Sequence, residues 1–343
     1  MRKLLNTLYV SSQGSYLRKE GETIVVEREG SKVLQLPAHS IGSIVCFGNV
    51  FCSPFLLGAC AEKDVSVSFL TEYGRFMASV RGPVSGNVLL RRQQYRMADD
   101  EAATRRIAAN VVSGKLANCR IVMNRTVRDH GERIDAVAVK AASAAIDRLI
   151  DSVPTAQSCD AIRGIEGLAA AEYFSAFDHF IVDQKEDFFF KDRNRRPPLD
   201  PVNALLSFIY TLLAHDVASA LETVGLDPAV GFLHRDRPGR PGLALDIMEE
   251  FRPIIADRLV LSLINRRQVD PKGFKRAEGG AVVMDDDTRK TVLVEYQNRK
   301  QDEVEHPYIE EKVPVGLLFF VQANLMARHI RGDLDGYPPF FWR

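Results

Sequence analysis

Arg81-Gly-Pro-Val-Ser-Gly86 parts the chain into two patterns, and the contrast across it decides the fold. On its N-terminal side, short runs rich in β-branched residues recur: Tyr16-Leu-Arg18, Thr23-Ile-Val-Val-Glu27, Val33-Leu-Gln-Leu36 and Ile41-Gly-Ser-Ile-Val-Cys46. Turn signals such as Ser11-Ser-Gln-Gly14 and Glu29-Gly-Ser31 separate them. Phe55-Leu-Leu-Gly-Ala-Cys-Ala-Glu-Lys63 reads as one helix, and Val65-Ser-Val-Ser-Phe-Leu70 and Arg75-Phe-Met-Ala-Ser-Val80 resume strands. On the C-terminal side the apolar period changes to about 3.6 residues. Helices are expected over 88–97, 101–128, 133–151, 160–182, 201–225, 243–267 and 313–330. Gly280-Ala-Val-Val-Met284 and Thr291-Val-Leu-Val-Glu295 read as a hairpin around Asp285-Asp-Asp-Thr288. The pattern predicts an α+β chain of two domains. A small β-sandwich-like domain spans 1–84, and a mainly α-helical domain that carries the chemistry spans 85–343.

A length of 343 residues agrees with about two domains, and an apolar share of 46% is ordinary for a folded protein. Lys+Arg and Asp+Glu are both 45, so the total hides local bias. Residues 88–128 carry nine basic residues against three acidic, while 281–311 carry nine acidic against four basic. Such a chain can hold a basic binding surface and a separate acidic one. Cys46, Cys52, Cys60, Cys119 and Cys159 are odd in number and none are spaced Cys-x-x-Cys, which points to a reducing cytoplasm. The first residues turn polar too soon for a signal peptide, and no apolar run reaches the roughly 18 residues of a membrane span.

The candidate chemistry lies in three stretches. Glu166 sits in Arg163-Gly-Ile-Glu-Gly-Leu-Ala-Ala-Ala-Glu-Tyr-Phe174, among small residues that let another backbone approach. His234 sits in Gly231-Phe-Leu-His-Arg-Asp-Arg-Pro-Gly-Arg240. Asp246 and Glu249 share a helical face, with Glu250 beside them and Leu243, Ile247, Phe251 and Ile254 as the buried stripe. Each signal alone has an ordinary explanation: a packing helix, a capping histidine, the solvated edge of an apolar stripe. Together they set carboxylates and an imidazole on separate elements among Arg235, Arg237, Arg240 and Arg252. Oxygen and imidazole donors suit a divalent ion with open positions, and guanidinium groups suit phosphates. The combination points to metal-assisted chemistry on a nucleic-acid backbone. Arg91, Arg92, Arg96, Arg163, Arg235 and Arg237 are the candidate DNA contacts. No nucleophile elbow, phosphate loop or His-Glu-x-x-His competes with this reading.

Four motifs in one order carry a family resemblance: Arg163-Gly-Ile-Glu-Gly167, Asp200-Pro-Val-Asn-Ala-Leu-Leu-Ser207, Gly231-Phe-Leu-His234 and Leu243-Ala-Leu-Asp-Ile-Met-Glu-Glu-Phe-Arg-Pro253. Over its whole length the chain resembles the CRISPR-associated integrase of spacer acquisition, the first Cas protein. The tail Tyr337-Pro-Pro-Phe-Phe-Trp-Arg343 is similar to that of subtype I-C. The resemblance implies that Glu166, His234 and Glu249 bind Mg2+ or Mn2+, with Asp246 as an accessory acid. Many family members carry Asp at the position of Glu249. It implies a metal-dependent endonuclease or integrase that joins the 3′-OH ends of a prespacer duplex to the ends of a CRISPR repeat beside its leader. It also implies a small ferredoxin-like partner, the second Cas protein, whose dimer is flanked by two catalytic homodimers. The β-rich block is expected to form the homodimer, and the acidic 281–311 region or the aromatic tail to meet the partner. The alternatives are a metal-dependent nuclease on branched or single-stranded DNA, and a non-catalytic DNA-binding scaffold.

Overall fold

The computed structural model describes residues 7–63, 65–72, 74, 76–80 and 88–342. The expected domain boundary, with the punctuation at 81–86, lies outside them. The N-terminal part runs β1 (Thr7–Val10), β2 (Tyr16–Glu20), β3 (Thr23–Arg28), β4 (Ser31–Pro37), β5 (Ser43–Phe47), β6 (Phe51–Cys52), α1 (Pro54–Glu62), β7 (Ser66–Leu70) and β8 (Phe76–Val80). These strands form two four-stranded sheets, ordered β1-β5-β7-β8 and β4-β3-β2-β6. In the first, β1, β5 and β7 are parallel and β8 is antiparallel to β7.

The first sheet is buried on both faces. Leu8, Val10, Ile44, Cys46 and Val67 meet Leu17, Ile24 and Val26 of the second sheet and Leu56 and Cys60 of α1. Val45, Phe47 and Leu70 face the helical core instead, with Phe47 stacked on Phe208 at 5.8 Å between centroids. Two-sided burial explains why Ser43-Ile-Val-Cys-Phe47 lacks alternation.

The helical part holds α2 (Val88–Asp99), α3 (Glu101–His130), α4 (Ala136–Ser152), α5 (Cys159–Ser175), α6 (Pro201–Thr223), α7 (Gly242–Phe251) and α8 (Arg258–Asn265). Side-chain caps start several of these: Asp100 for α3, Asp135 for α4, Ser158 for α5 and Asp200 for α6. A π-helical turn, Arg252–Asp257, joins α7 to α8. Pro253 within it has no N–H to continue the α-helical ladder, so the single helix expected over 243–267 is interrupted there. Among the described residues α6 is the one helix long and apolar enough to cross a membrane. It is a core helix, packed against α7 and the C-terminal helix.

The hairpin expected around Asp285 is not formed. β9 (Phe274–Arg276) pairs with β10 (Val282–Met284), and the next residues are a helix, α9 (Asp286–Gln301). Asp285 is its N-cap, accepting from Thr288 N at 2.9 Å, and Asp286 and Asp287 occupy its first turn. Consecutive aspartates thus serve as a helix start rather than a strand turn. β11 (Glu303–His306), β12 (Glu311–Pro314) and α10 (Val315–Arg331) complete the fold.

The aromatic tail is docked on the helical part. Tyr337 and Phe340 are buried, and the Trp342 ring lies between Arg125 and Arg258 at 4.9 and 4.3 Å. Glu250 of α7 anchors it, accepting from Phe340 N, Tyr337 Oη and Gln322 Nε2 at 2.7, 2.7 and 2.9 Å. Phe340→Ala is expected to cost about 3–5 kcal/mol of stability, read by denaturant unfolding. Burial pushes the Glu250 carboxyl up to about 8 despite these donors. A raised carboxyl stabilises the fold below its ordinary value near 4.5, and that contribution fades as pH rises through about 8. Glu250→Gln is therefore expected to flatten the fall of melting temperature across that window and to gain on the parent at its alkaline end. Equal slopes in the two proteins would refute this.

Candidate metal centre and strand groove

Helix α7 is enclosed by α3, α6 and α10, so its polar residues do not mark a solvated edge. Asp246, Glu249 and Glu250 are 0%, 3% and 0% exposed. Buried carboxylates on one helix require dedicated partners, and each has its own. Glu250 holds the tail, Asp246 holds the histidine loop, and Glu249 faces α3 and α5.

Asp246 is saturated by local donors. Its Oδ2 accepts from Phe232 N and Leu233 N at 2.6 and 3.0 Å. Its Oδ1 accepts from His234 N at 3.0 Å and lies 2.7 Å from His234 Nδ1. A carboxylate accepts only, so Nδ1 carries a proton toward Asp246, and in the neutral ring Nε2 presents its lone pair outward. That nitrogen lies 4.0 Å from Glu249 Oε1. Two glycines allow the loop to approach so closely. A Cβ at Gly231 would meet Asp246 Oδ2 at 2.7 Å and Leu243 N at 2.8 Å, and one at Gly242 would meet Ala229 O at 2.7 Å. From the other side the buried Gln94 of α2 donates to Asp227 O and Val230 O, both at 2.8 Å, and accepts from Asp227 N. Arg163 Nε donates to Leu233 O at 2.6 Å, tying the loop to α5.

Glu166 projects from α5 onto the Lys115 ammonium of α3, and Glu249 Oε2 lies 2.7 Å from the same nitrogen. Arg252 donates to Glu249 Oε1 at 2.7 Å and lies over the Tyr210 ring at 4.3 Å. Burial alone would raise the Glu249 carboxyl, but the Arg252 and Lys115 charges outweigh it and hold the group far below the usual carboxylate range. Lys115 is likewise penalised by burial, and Glu249 and Glu166 more than restore its charge, leaving it above the ordinary lysine value.

The structure therefore brings Glu166, His234 and Glu249 around one place and gives Asp246 a different task. Among the described residues no three His, Cys, Asp or Glu side chains stand close enough around one point to ligate an ion as they are. The Lys115 ammonium lies between the two carboxylates. The donor set still fits a divalent ion: two carboxylates and an imidazole with its lone pair free. Glu249 Oε2 is moreover buried without a well-directed hydrogen bond, despite its contact with Lys115.

A groove of about 1090 Å3 opens onto His234, Glu249 and Arg252. Arg193, Arg195, Arg196, Arg237 and Arg240 line it. Arg193 is committed to the scaffold through Asn203 Oδ1 and Ser207 Oγ. Burial lowers the Arg240 pKa, and Arg237, Arg195 and Arg196 press it further down, which is the mark of crowded positive charge. At the far end Phe76 of β8 lies 4.9 Å from the His215 ring. The sequence candidates divide here. Arg237 lines the groove, Arg163 and Arg235 pair with Asp160, and Arg91, Arg92 and Arg96 are not among the lining residues.

Lys115 and Gln94 were missed by the sequence reading as candidate site residues. For Lys115 a signal existed. It falls on the stripe Val111, Val112, Leu116 and Cys119, where a charged group needs a buried partner. The basic excess of 88–128 is correspondingly less available than its count suggests. Besides Lys115, Arg120 pairs with Asp147, and Arg125 and Arg128 pair with Asp129.

The family model described as CRISPR associated protein Cas1 matches residues 8–298. A CRISPR-associated endonuclease Cas1 of Chlorobaculum tepidum is 55% identical over 343 residues, covering 100% of both chains. One from Rhodospirillum rubrum is 52% identical, again over 100% of both. The solved structure of a Cas1 protein from Thermotoga maritima superimposes with a TM-score of 0.82 at 25% identity, covering 95% of this chain and 97% of that one.

Proposed function

The chain belongs to the CRISPR-associated Cas1 family, and on that premise we propose that it joins DNA 3′-OH ends to a repeat by metal-dependent transesterification. The observation that carries this reading is that Glu166 and Glu249 meet on one ammonium, His234 Nε2 lies 4.0 Å from Glu249, and His234 and Glu249 line an arginine-rich groove. Mg2+ or Mn2+ would be held by those three side chains, and when bound it would polarise the scissile phosphoryl oxygen and stabilise the departing one. The remaining work belongs to the chain. Asp246 orients the imidazole, and Arg252 holds Glu249 in place. Arg195, Arg196, Arg237 and Arg240 offer charge to the strand's phosphates along the groove. One phosphodiester is broken as another forms, so exchange of one 3′-OH for another needs no nucleotide cofactor. Endonuclease activity, which the relatives' name carries, would use this site with water in place of the attacking hydroxyl.

The deciding experiment uses a labelled short duplex and a repeat-bearing target. A branched joined product supports integration. Cleavage without joining supports hydrolysis, and binding without either supports a scaffold. DNA affinity is expected to fall steeply with salt, and each of Arg237→Ala and Arg240→Ala to reduce that slope by about one. An unchanged slope would remove the groove from the binding surface.

Joining both ends of one duplex requires two such sites at a fixed separation, so the reading includes a homodimer and the ferredoxin-like second Cas protein as partner. The N-terminal sheets offer apolar surface for the dimer. Phe55 is 85% exposed, Phe51 54% and Val33, on the edge strand β4, 59%. Phe55→Glu is expected to shift the chain from dimer to monomer in light scattering at micromolar concentration. A parent chain that stays monomeric with DNA and partner present would refute the arrangement.

A further inference from the structure

We propose that Lys115 is a built-in competitor for the metal: its ammonium occupies the cation seat between Glu166 and Glu249 in the metal-free protein and must be expelled for a divalent ion to bind. The inference rests on the metal reading above and concerns how that site is kept in check.

Three observations carry it. Lys115 is 6% exposed in the middle of α3, so its charge depends on protein partners. Its ammonium contacts one carboxylate from α5 and one from α7, so a single cation bridges the two acidic residues nominated as ligands. The charges already balance without metal. Glu166 and Glu249 are matched by Lys115 and by Arg252, which holds the other oxygen of Glu249. A dication entering this place would face an ammonium in direct contact with both of its carboxylate ligands, and repulsion at such separations in a buried setting is strong. The ammonium and the ion therefore cannot share the seat. The metal-free fold gains the ion pairs, and the metal pays for breaking them with part of its binding energy.

The opposing reading makes Lys115 a permanent cement between α3, α5 and α7. The two readings predict opposite signs. If the lysine competes, Lys115→Met keeps the volume, removes the charge, and tightens Mn2+ binding by about tenfold or more. It also lowers the melting temperature without metal and enlarges the rise that Mn2+ produces. If the lysine is cement, its loss lets the carboxylates spread apart and Mn2+ binds more weakly. The measurement is Mn2+ titration of the full chain by electron paramagnetic resonance, with melting curves at zero and saturating Mn2+. Unchanged or weaker affinity in a folded Lys115→Met protein overturns the proposal. Absence of Mn2+ binding in both proteins overturns the metal reading itself.

A test on the unaltered chain removes dependence on the variant's folding. Mn2+ should raise the rate at which acetic anhydride labels the Lys115 amine, read by mass spectrometry. Equal or slower labelling with Mn2+ bound contradicts displacement.

Discussion

His234→Ala is expected to reduce strand joining by about two to three orders of magnitude while changing DNA affinity by no more than about twofold. The separation follows from the geometry. His234 contributes one ring nitrogen to the groove lining, whereas four guanidinium groups, of Arg195, Arg196, Arg237 and Arg240, line it and would hold phosphate. The imidazole makes one side-chain contact to the protein, with Asp246, and its ring is at the surface of the groove rather than in the core. Its loss therefore removes the proposed ligand without opening a cavity in the apolar interior. Glu249 gives a less clean experiment. Glu249→Ala leaves Arg252 a buried charge without its carboxylate and Lys115 with Glu166 alone, and breaking such a network costs about 3–5 kcal/mol. Glu166 is more accessible, so Glu166→Ala should resemble His234→Ala in activity with a milder loss of stability. The assay is joining rate against labelled duplex at saturating Mn2+, paired with direct binding. Joining at parental rates in His234→Ala would dismantle the proposed centre.

Much of this architecture was legible because local signals and tertiary demands agree. Asp135, Ser158 and Asp200 are caps by residue type, and they cap the helices in the structure. The described residues before 81 are mostly strand and those after 87 mostly helix, as the change of period implies. Where the reading failed, the deciding atoms came from far along the chain. Asp285-Asp-Asp-Thr288 suits a turn or a helix start, and Thr288 and Arg289 of α9 pack inward to settle it. Asp246 and Glu249 share a face by spacing alone. Their division of labour depends on the backbone of 232–234 reaching one and Lys115 reaching the other. Spacing cannot carry that information, because it fixes which side of a helix a residue is on but not which neighbour arrives there. The buried polar residues Gln94 and Asn118 are similar cases. Each bonds to backbone more than a hundred residues away.

Asp246→Asn tests whether that division of labour matters to the chemistry. The side chain faces four donors: three backbone N–H groups and the Nδ1 of His234. An asparagine of the same shape has one oxygen to offer, so either orientation aims an NH2 group at hydrogen-bond donors. With the oxygen toward Phe232 and Leu233, the amide NH2 meets His234. The imidazole can then accept that bond only by moving its proton from Nδ1 to Nε2, which converts the outward nitrogen from a lone-pair donor to an N–H. With the oxygen toward His234, two buried N–H groups lose their acceptor, at about 1–3 kcal/mol each. Both outcomes harm the centre, one through the tautomer and the other through the loop. Joining is expected to fall by about a hundredfold or more, and Mn2+ affinity by about tenfold to a hundredfold. Stability should fall by about 3 kcal/mol, less than the cost of removing the carboxylate altogether in Asp246→Ala. Nitrogen-15 NMR of the His234 ring reads the tautomer directly and separates the two routes. A variant that keeps parental joining and an Nδ1-protonated ring would show that the Asp246 carboxylate serves the fold of the loop alone.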